Sequence, residues 1–215
     1  MDFYTSALFS LSVSIGAIAG LLRFRKTEQV FFPFFVLLWA GCTNEILSLV
    51  LMHYGFSNVL NYNLFVLAEG VLGCLLFRNW RLLSQKVCLF LLSLAGLLWF
   101  FEWLVTPLNS FQSYSIIFTS FLIVLMSISM INRILFSLPY SLLKDPVFLI
   151  CTGFIMYYTF SVLTETFWMF GIQRSRSFRL SINALLNYIN LFSNLLFLLA
   201  ILWMPTRHRF TMRCS

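Results

Sequence analysis

Residues 181–203, SINALLNYINLFSNLLFLLAILW, contain no charged side chain. A membrane-crossing helix needs about 20 mainly apolar residues, and this stretch meets that length. Asn183, Asn187, Asn190 and Asn194 recur at steps of 4, 3 and 4 within it. That spacing puts all four amides on one face of a helix. Amides turned to lipid forfeit their hydrogen bonds, so the face must look into a bundle of other helices. Two readings of the ladder stand: interhelical glue, or the wall of a polar pocket.

Six further stretches are mainly apolar and of similar length: 4–22, 30–54, 61–77, 87–104, 114–131 and 147–170. The expected fold is therefore an all-α integral membrane protein, a single seven-transmembrane-helix bundle over 1–215. Composition agrees. Of the 215 residues, 60% are hydrophobic and 10% charged, against about 25% charged in an ordinary soluble domain. Mean hydropathy is +0.91. The apolar stretches leave no room for a second, soluble domain. Met1-Asp2-Phe3-Tyr4 lacks the basic start of a signal peptide, so the first stretch is expected to stay as a helix. Pro33 and Pro146 fall at the starts of the second and sixth stretches, where a missing N–H does no harm.

The basic residues set the expected orientation. Arg23, Arg25, Lys26, Arg78, Arg81, Lys86, Arg133, Lys144, Arg207, Arg209 and Arg213 follow odd-numbered helices, which is 11 of the 14 Lys and Arg. The positive-inside rule then places the N-terminus outside and the C-terminus in the cytoplasm. Arg174, Arg176 and Arg179 break the rule in an outer loop, and read either as three solvated arginines or as an outer rim at the entrance to the bundle. The net charge of +7 fits basic loops against anionic headgroups, with no call for nucleic acid. Four of the five cysteines lie in apolar stretches and Cys214 at the tip, so no structural disulfide is expected.

Glu45, Glu69, Glu102 and Glu165 lie within spans, with no Lys or Arg at similar depth. A charge near the bilayer centre costs at least ~2.5 kcal/mol, so such residues are rare without a task. Each is tolerated as a neutral acid, by sharing a proton with another carboxyl, or by holding a cation. Arginines of the outer loop are a further possible partner for Glu165 or Glu102. Glu102, within Trp99-Phe100-Phe101-Glu102-Trp103, reads as a side chain reaching the headgroups among interfacial aromatics. The expected pocket for a ligand or proton is built from Glu45, Glu69, Glu165, Asn44, Tyr158, Asn183, Asn187 and Asn190. Ser12, Gly16 and Gly20 form a small-residue face on the first helix, for close packing within the chain or between copies.

No His-Glu-x-x-His, Gly-x-Ser-x-Gly or phosphate loop occurs, and no lysine or aspartate falls within a span. No catalytic residue, metal site or cofactor is expected. Asn44-Glu45, the 61–69 segment and the asparagine ladder together resemble small seven-helix bacterial membrane proteins of uncharacterised function. The resemblance implies the bundle and a bacterial inner-membrane location, and it brings no activity. Small sugar facilitators of three-plus-one-plus-three build share the size and orientation. This sequence lacks their Pro-Gln signature and most of their helix prolines.

The function expected first is a receptor-like sensing module. An outward-biased polar pocket would bind a small ligand or cation and pass a signal to a separate partner in the bilayer. A small proton- or cation-coupled carrier comes second. An intramembrane enzyme acting on lipid and a structural subunit of a larger complex follow.

Overall fold

The computed structural model describes residues 9, 11–107, 110–137, 142–170 and 176–205, with the backbone alone at 137, 176, 177, 179, 180 and 183. Seven α-helices and no strand occur among the described residues. They are α1 (Val13–Arg23), α2 (Phe32–His53), α3 (Val59–Asn79), α4 (Gln85–Val105), α5 (Ser113–Ser137), α6 (Pro146–Met169) and α7 (Arg176–Trp203). Short 3-10 turns, Gln29–Phe31 and Leu142–Lys144, precede α2 and α6. Six helices, α2 to α7, are long and apolar enough to cross a membrane. The chain is thus built as a multi-pass integral membrane protein. For α1, 11 residues are described.

Local chemistry explains the helix ends. Pro146 opens α6 behind Asp145, whose carboxylate accepts from the Phe148 N–H at 2.9 Å. Ser84 caps α4 by accepting from the Val87 N–H. Beyond α2, Gly55 takes a positive φ of 76°. The Phe56 N–H then reaches the Leu51 carbonyl at 2.8 Å, closing the helix in the left-handed cap that glycine suits best. Arg81 does the same after α3 with φ 58°. Helix α5 runs six residues past the expected limit of 131, because Arg133 lies near its end and donates to the Arg81 carbonyl at 2.8 Å. A long basic side chain lets a span run out of hydrocarbon without losing its turns.

The neighbours form a closed ring. Helices α1, α2, α3, α5, α6 and α7 follow one another around it, and α7 returns to α1. Helix α4 stands outside, against α3 and α5. Contacts between ends fix the directions. Arg23, closing α1, donates to the Ile201 and Leu202 carbonyls in the last turn of α7, at 2.9 and 2.6 Å. Lys144, just before α6, lies over the Trp203 ring at 5.3 Å. Arg23, Arg78, Arg81, Arg133 and Lys144 therefore gather at one end of the bundle, called the basic end below. Arg176 and Arg179 begin α7 at the far end.

Small residues allow the close crossings. Gly16 and Gly20 are buried, with Leu38 and Ile201 over the first and Phe35 over the second. A Cβ on Gly20 would sit 2.9 Å from the Phe35 ring. The small-residue face of α1 is therefore spent inside the chain, on α2 and α7. Ser12 extends it by accepting from the Asn194 amide at 2.8 Å. Gly70 and Gly73 of α3 likewise meet Thr119 and Ile123 of α5. Apolar burial in a membrane replaces lipid by protein at little gain, so tight packing and polar contacts select the arrangement.

Glu102 differs from its expected place among the headgroups. It is buried at 5% exposure. Its carboxylate accepts from the Tyr114 and Ser115 backbone N–H groups at 3.0 and 2.8 Å, and from the Ser115 hydroxyl at 2.7 Å. A carboxylate from α4 thus caps the unsatisfied, partly positive N-terminus of α5. Glu102→Ala should lower unfolding stability in detergent by about 2 kcal/mol, the size of a lost charged cap. An unfolding midpoint unchanged from wild type would show that the cap carries no weight.

Candidate functional site

The ring encloses a cavity at mid-depth. Its polar wall is Glu45 of α2, Glu69 of α3, Tyr157 and Tyr158 of α6, and Asn190 and Asn194 of α7. About 60 Å³ is open to the centres of water-sized molecules. One water needs roughly 10–15 Å³ by that measure, so several waters or one small ligand fit.

Glu69 is the best-fixed member. It is buried at 8% exposure. The Tyr158 hydroxyl donates to its Oε1 at 3.0 Å. Among the described residues, no hydrogen bond reaches its Oε2. Glu45 is half-buried and lines the same space as Glu69. Tyr62 lies outside this lining and meets Phe111 edge to face at 5.6 Å. On the opposite wall the Asn194 amide donates to Asn190 Oδ1 at 3.2 Å as well as to Ser12. Asn194 is thus both glue and wall. Asn190, one turn back, gives its oxygen to Asn194 and lines the cavity.

The floor, toward the basic end, is aromatic. Phe34, Phe154 and Phe197 meet edge to face, with ring centroids 5.5 Å apart for Phe34–Phe197, 5.4 Å for Phe154–Phe197 and 6.3 Å for Phe34–Phe154. Phe77 packs against Phe154 from α3, and Phe35 against Phe34 from within α2. Phe34 and Phe77 are fully enclosed. Gly153 makes room for the floor, since a Cβ there would lie 2.5 Å from the Phe197 ring. Edge-to-face pairs favour this interlocked geometry over a loose stack.

The structure brings Glu45, Glu69, Tyr158 and Asn190 together, four of the residues expected in the pocket. It places others elsewhere. Asn44 is buried between α2 and α3, where the Asn61 amide donates to its Oδ1 at 2.8 Å, with Ser48 Oγ at 3.1 Å from the same nitrogen. That pair ties two helices rather than lining the cavity. Glu165 sits nearer the far end and accepts from the Ser113 hydroxyl at 3.0 Å. Asn187 is half-buried on the ladder face. The Asn183 side chain and Arg174 lie outside the described residues, and of Arg176 and Arg179 only the backbone is described.

Tyr157 and Asn194 are wall residues that the expected pocket did not include. Asn194 carried a signal in its ladder spacing. Tyr157 carried little, being one position away from the stripe through Tyr158. Among the described residues no group of three or more His, Cys, Asp and Glu could hold a metal ion. The far end of the ring is fastened by a third polar centre. Asn63 accepts from the Gln112 N–H at 3.2 Å and donates to the Ser110 carbonyl at 3.1 Å, while Trp99 donates to its carbonyl at 3.0 Å. Asn63, Glu102 and Glu165 thereby pin the start of α5 onto α3, α4 and α6.

No protein-family model, curated protein or solved structure matches the chain.

A double-mutant cycle on Tyr158→Phe and Glu69→Ala should return a coupling of about 1 kcal/mol in unfolding stability, the scale of a hydrogen bond between membrane helices. Additive single losses would mean that the 3.0 Å contact contributes nothing.

Proposed function

We propose that the chain is a receptor-like membrane module whose cavity binds a small ligand and whose helices report the event. The observation supporting this is the aromatic floor. Phe34, Phe154 and Phe197 close the cavity beneath Glu69, so the polar groups have a wall toward the basic end. A binding site with one closed face suits detection better than passage. The report passes, in this reading, to a separate partner in or beside the bilayer. In this reading the basic end faces the cytoplasm of a bacterial inner membrane, as the positive-inside rule prefers.

The ring favours a second reading as a small cation- or proton-coupled carrier. Helices α1–α3 and α5–α7 each make a run of consecutive neighbours, and α4 stands aside. Two three-helix units around a midplane site could rock against each other. Tyr158 and Glu69 would then carry the coupling proton.

Reconstitution separates the two. Liposomes holding the purified protein should show no proton flux above empty liposomes under an imposed pH gradient, with or without candidate solutes. A flux that Glu69→Gln abolishes would replace the receptor reading by the carrier. Orientation is checked in cells on a cysteine-free background. Ser57→Cys at the far end should react with a membrane-impermeant maleimide, and Lys86→Cys at the basic end should not. The reverse labelling pattern would invert the topology.

A further inference from the structure

Several cations gather on one turn at the basic end. Arg78 stands in the last turn of α3, Arg81 in the turn just after it, and Lys86 in the first turn of α4. The chain closes this turn with its own backbone. The Trp80 N–H donates to the Leu76 carbonyl at 3.0 Å, the Arg81 N–H to the Arg78 carbonyl at 2.9 Å and the Leu82 N–H to the Phe77 carbonyl at 3.0 Å. The side chains of Arg78, Arg81 and Lys86 are exposed, and among the described residues none of them makes a hydrogen bond or an ion pair. From α5, Arg133 donates to the Arg81 carbonyl at 2.8 Å, which brings a further guanidinium against the same turn. The chain has no acidic residue from 70 to 101 or from 103 to 144. Outside the described side chains the only acid is Asp2, against Arg174, Arg176, Arg179, Arg207, Arg209 and Arg213, so no arrangement of them reverses the sign of this patch.

Two of these cations stand where the local physics disfavours them. Arg81 has φ 58°, in the left-handed region where a Cβ crowds the backbone and glycine is the ordinary choice. Glycine does stand at the matching place after α2, as Gly55. Lys86 lies at the partly positive end of α4, where acidic side chains are favoured and none is present. The positive-inside rule asks for charge in this connection, and it does not ask for charge at these two positions. An anion seated on the turn accounts for both.

The surroundings say which anion. Phe136 follows Arg133 by three residues and Phe90 follows Lys86 by four, so each ring shares a helix face with its cation. Phe136 is 92% exposed and Phe90 66%, with Leu135 and Val87 exposed beside them. A soluble anion has no use for these apolar groups. A phospholipid brings a phosphate and hydrocarbon chains together, and guanidinium groups grip phosphate with paired hydrogen bonds. We infer that the α3–α4 turn is a headgroup site for one anionic glycerophospholipid. Arg78, Arg81 and Lys86 hold its phosphodiester, and its chains lie against Phe90 of α4 and Phe136 of α5. The site is separate from the cavity, and it stands whichever function the cavity serves.

The test uses purified, delipidated full-length protein in an uncharged detergent, with dioleoylphosphatidylglycerol as the probe. Native mass spectrometry and thermal unfolding should both show saturable binding of one lipid. Dioleoylphosphatidylcholine, which has the same chains and no net charge, should bind at least fivefold more weakly. Glycerol 3-phosphate, which has the phosphate and no chains, should not compete at equal concentration, and neither should polyglutamate. Arg81→Gly removes the charge and suits the backbone at φ 58°, so its lipid-free unfolding midpoint should stay at or above that of wild type. Its binding of phosphatidylglycerol should nevertheless fall at least fivefold, as should that of Arg78→Gln. Lys144→Gln removes one charge beside Trp203 of α7 and should bind within twofold of wild type. Equal binding of phosphatidylcholine would overturn the inference, and so would an equal loss in Lys144→Gln, which marks a diffuse attraction of charge. Undiminished binding by Arg81→Gly, or a fall in its lipid-free midpoint, would overturn the role given to Arg81. Competition by glycerol 3-phosphate or polyglutamate would reassign the turn to a soluble anion or an acidic protein. The comparison of the two lipids on wild type needs no variant. Neither arm touches Glu69 or proton flux, so this inference and the receptor reading stand or fall separately.

Discussion

Hydrocarbon offers no hydrogen bond, and the whole arrangement follows from where this chain finds its own. The N-terminus of α5 leaves backbone donors open at the far end, and Glu102 of α4 supplies the acceptors. The C-terminus of α7 leaves carbonyls open at the basic end, and Arg23 of α1 supplies the donors. Each charge sits where a helix dipole welcomes it. Both are brought by a helix other than the one they cap. Helix ends that would be solvated in a soluble protein thus become joints between distant parts of the sequence.

The same constraint sorts the remaining polar side chains into two kinds. Asn44 with Asn61, Asn63 with the 110–112 backbone, and Asn194 with Ser12 are closed pairings that hold helices together. Glu69 and Tyr158 are different. Their pairing borders open space, over a floor of interlocked rings. A buried carboxyl beside a cavity is costly, and it returns less to the packing than a closed pairing between helices. That imbalance is what separates the candidate site from the glue.

Much of the fold was legible because a span announces itself by length and by the absence of charge. The described ends of α3, α4 and α6 fall within two residues of the expected limits. The asparagine ladder announced an inward face, and Glu69 announced a buried function, since both are costly anywhere else. Glu102 was misread because its role depends on the start of α5 standing across from the last turn of α4. No spacing within one helix encodes that. The floor was invisible for another reason: Phe34, Phe154 and Phe197 are three of 26 phenylalanines, and only the ring of helices distinguishes them from those facing lipid. Asn44 was assigned to the pocket by adjacency to Glu45, yet neighbours in sequence point about 100° apart on a helix.

Helix α4 stands outside the ring, and its fastenings are few: Cys88 against the Cys74 carbonyl, Trp99 on Asn63, and Glu102 on α5. Without it, α5 would begin where α3 ends, and the second run of three helices would lie inverted relative to the first. One additional helix restores parity, so α1 and α5 run in the same sense within the bundle. The outer face of α4, where a Cβ on Gly96 would meet nothing within 4 Å, is accordingly a strip of sequence under little instruction beyond oiliness. Variation should accumulate there faster than anywhere else in the bundle, bounded by Cys88 on one side and Trp99 on the other.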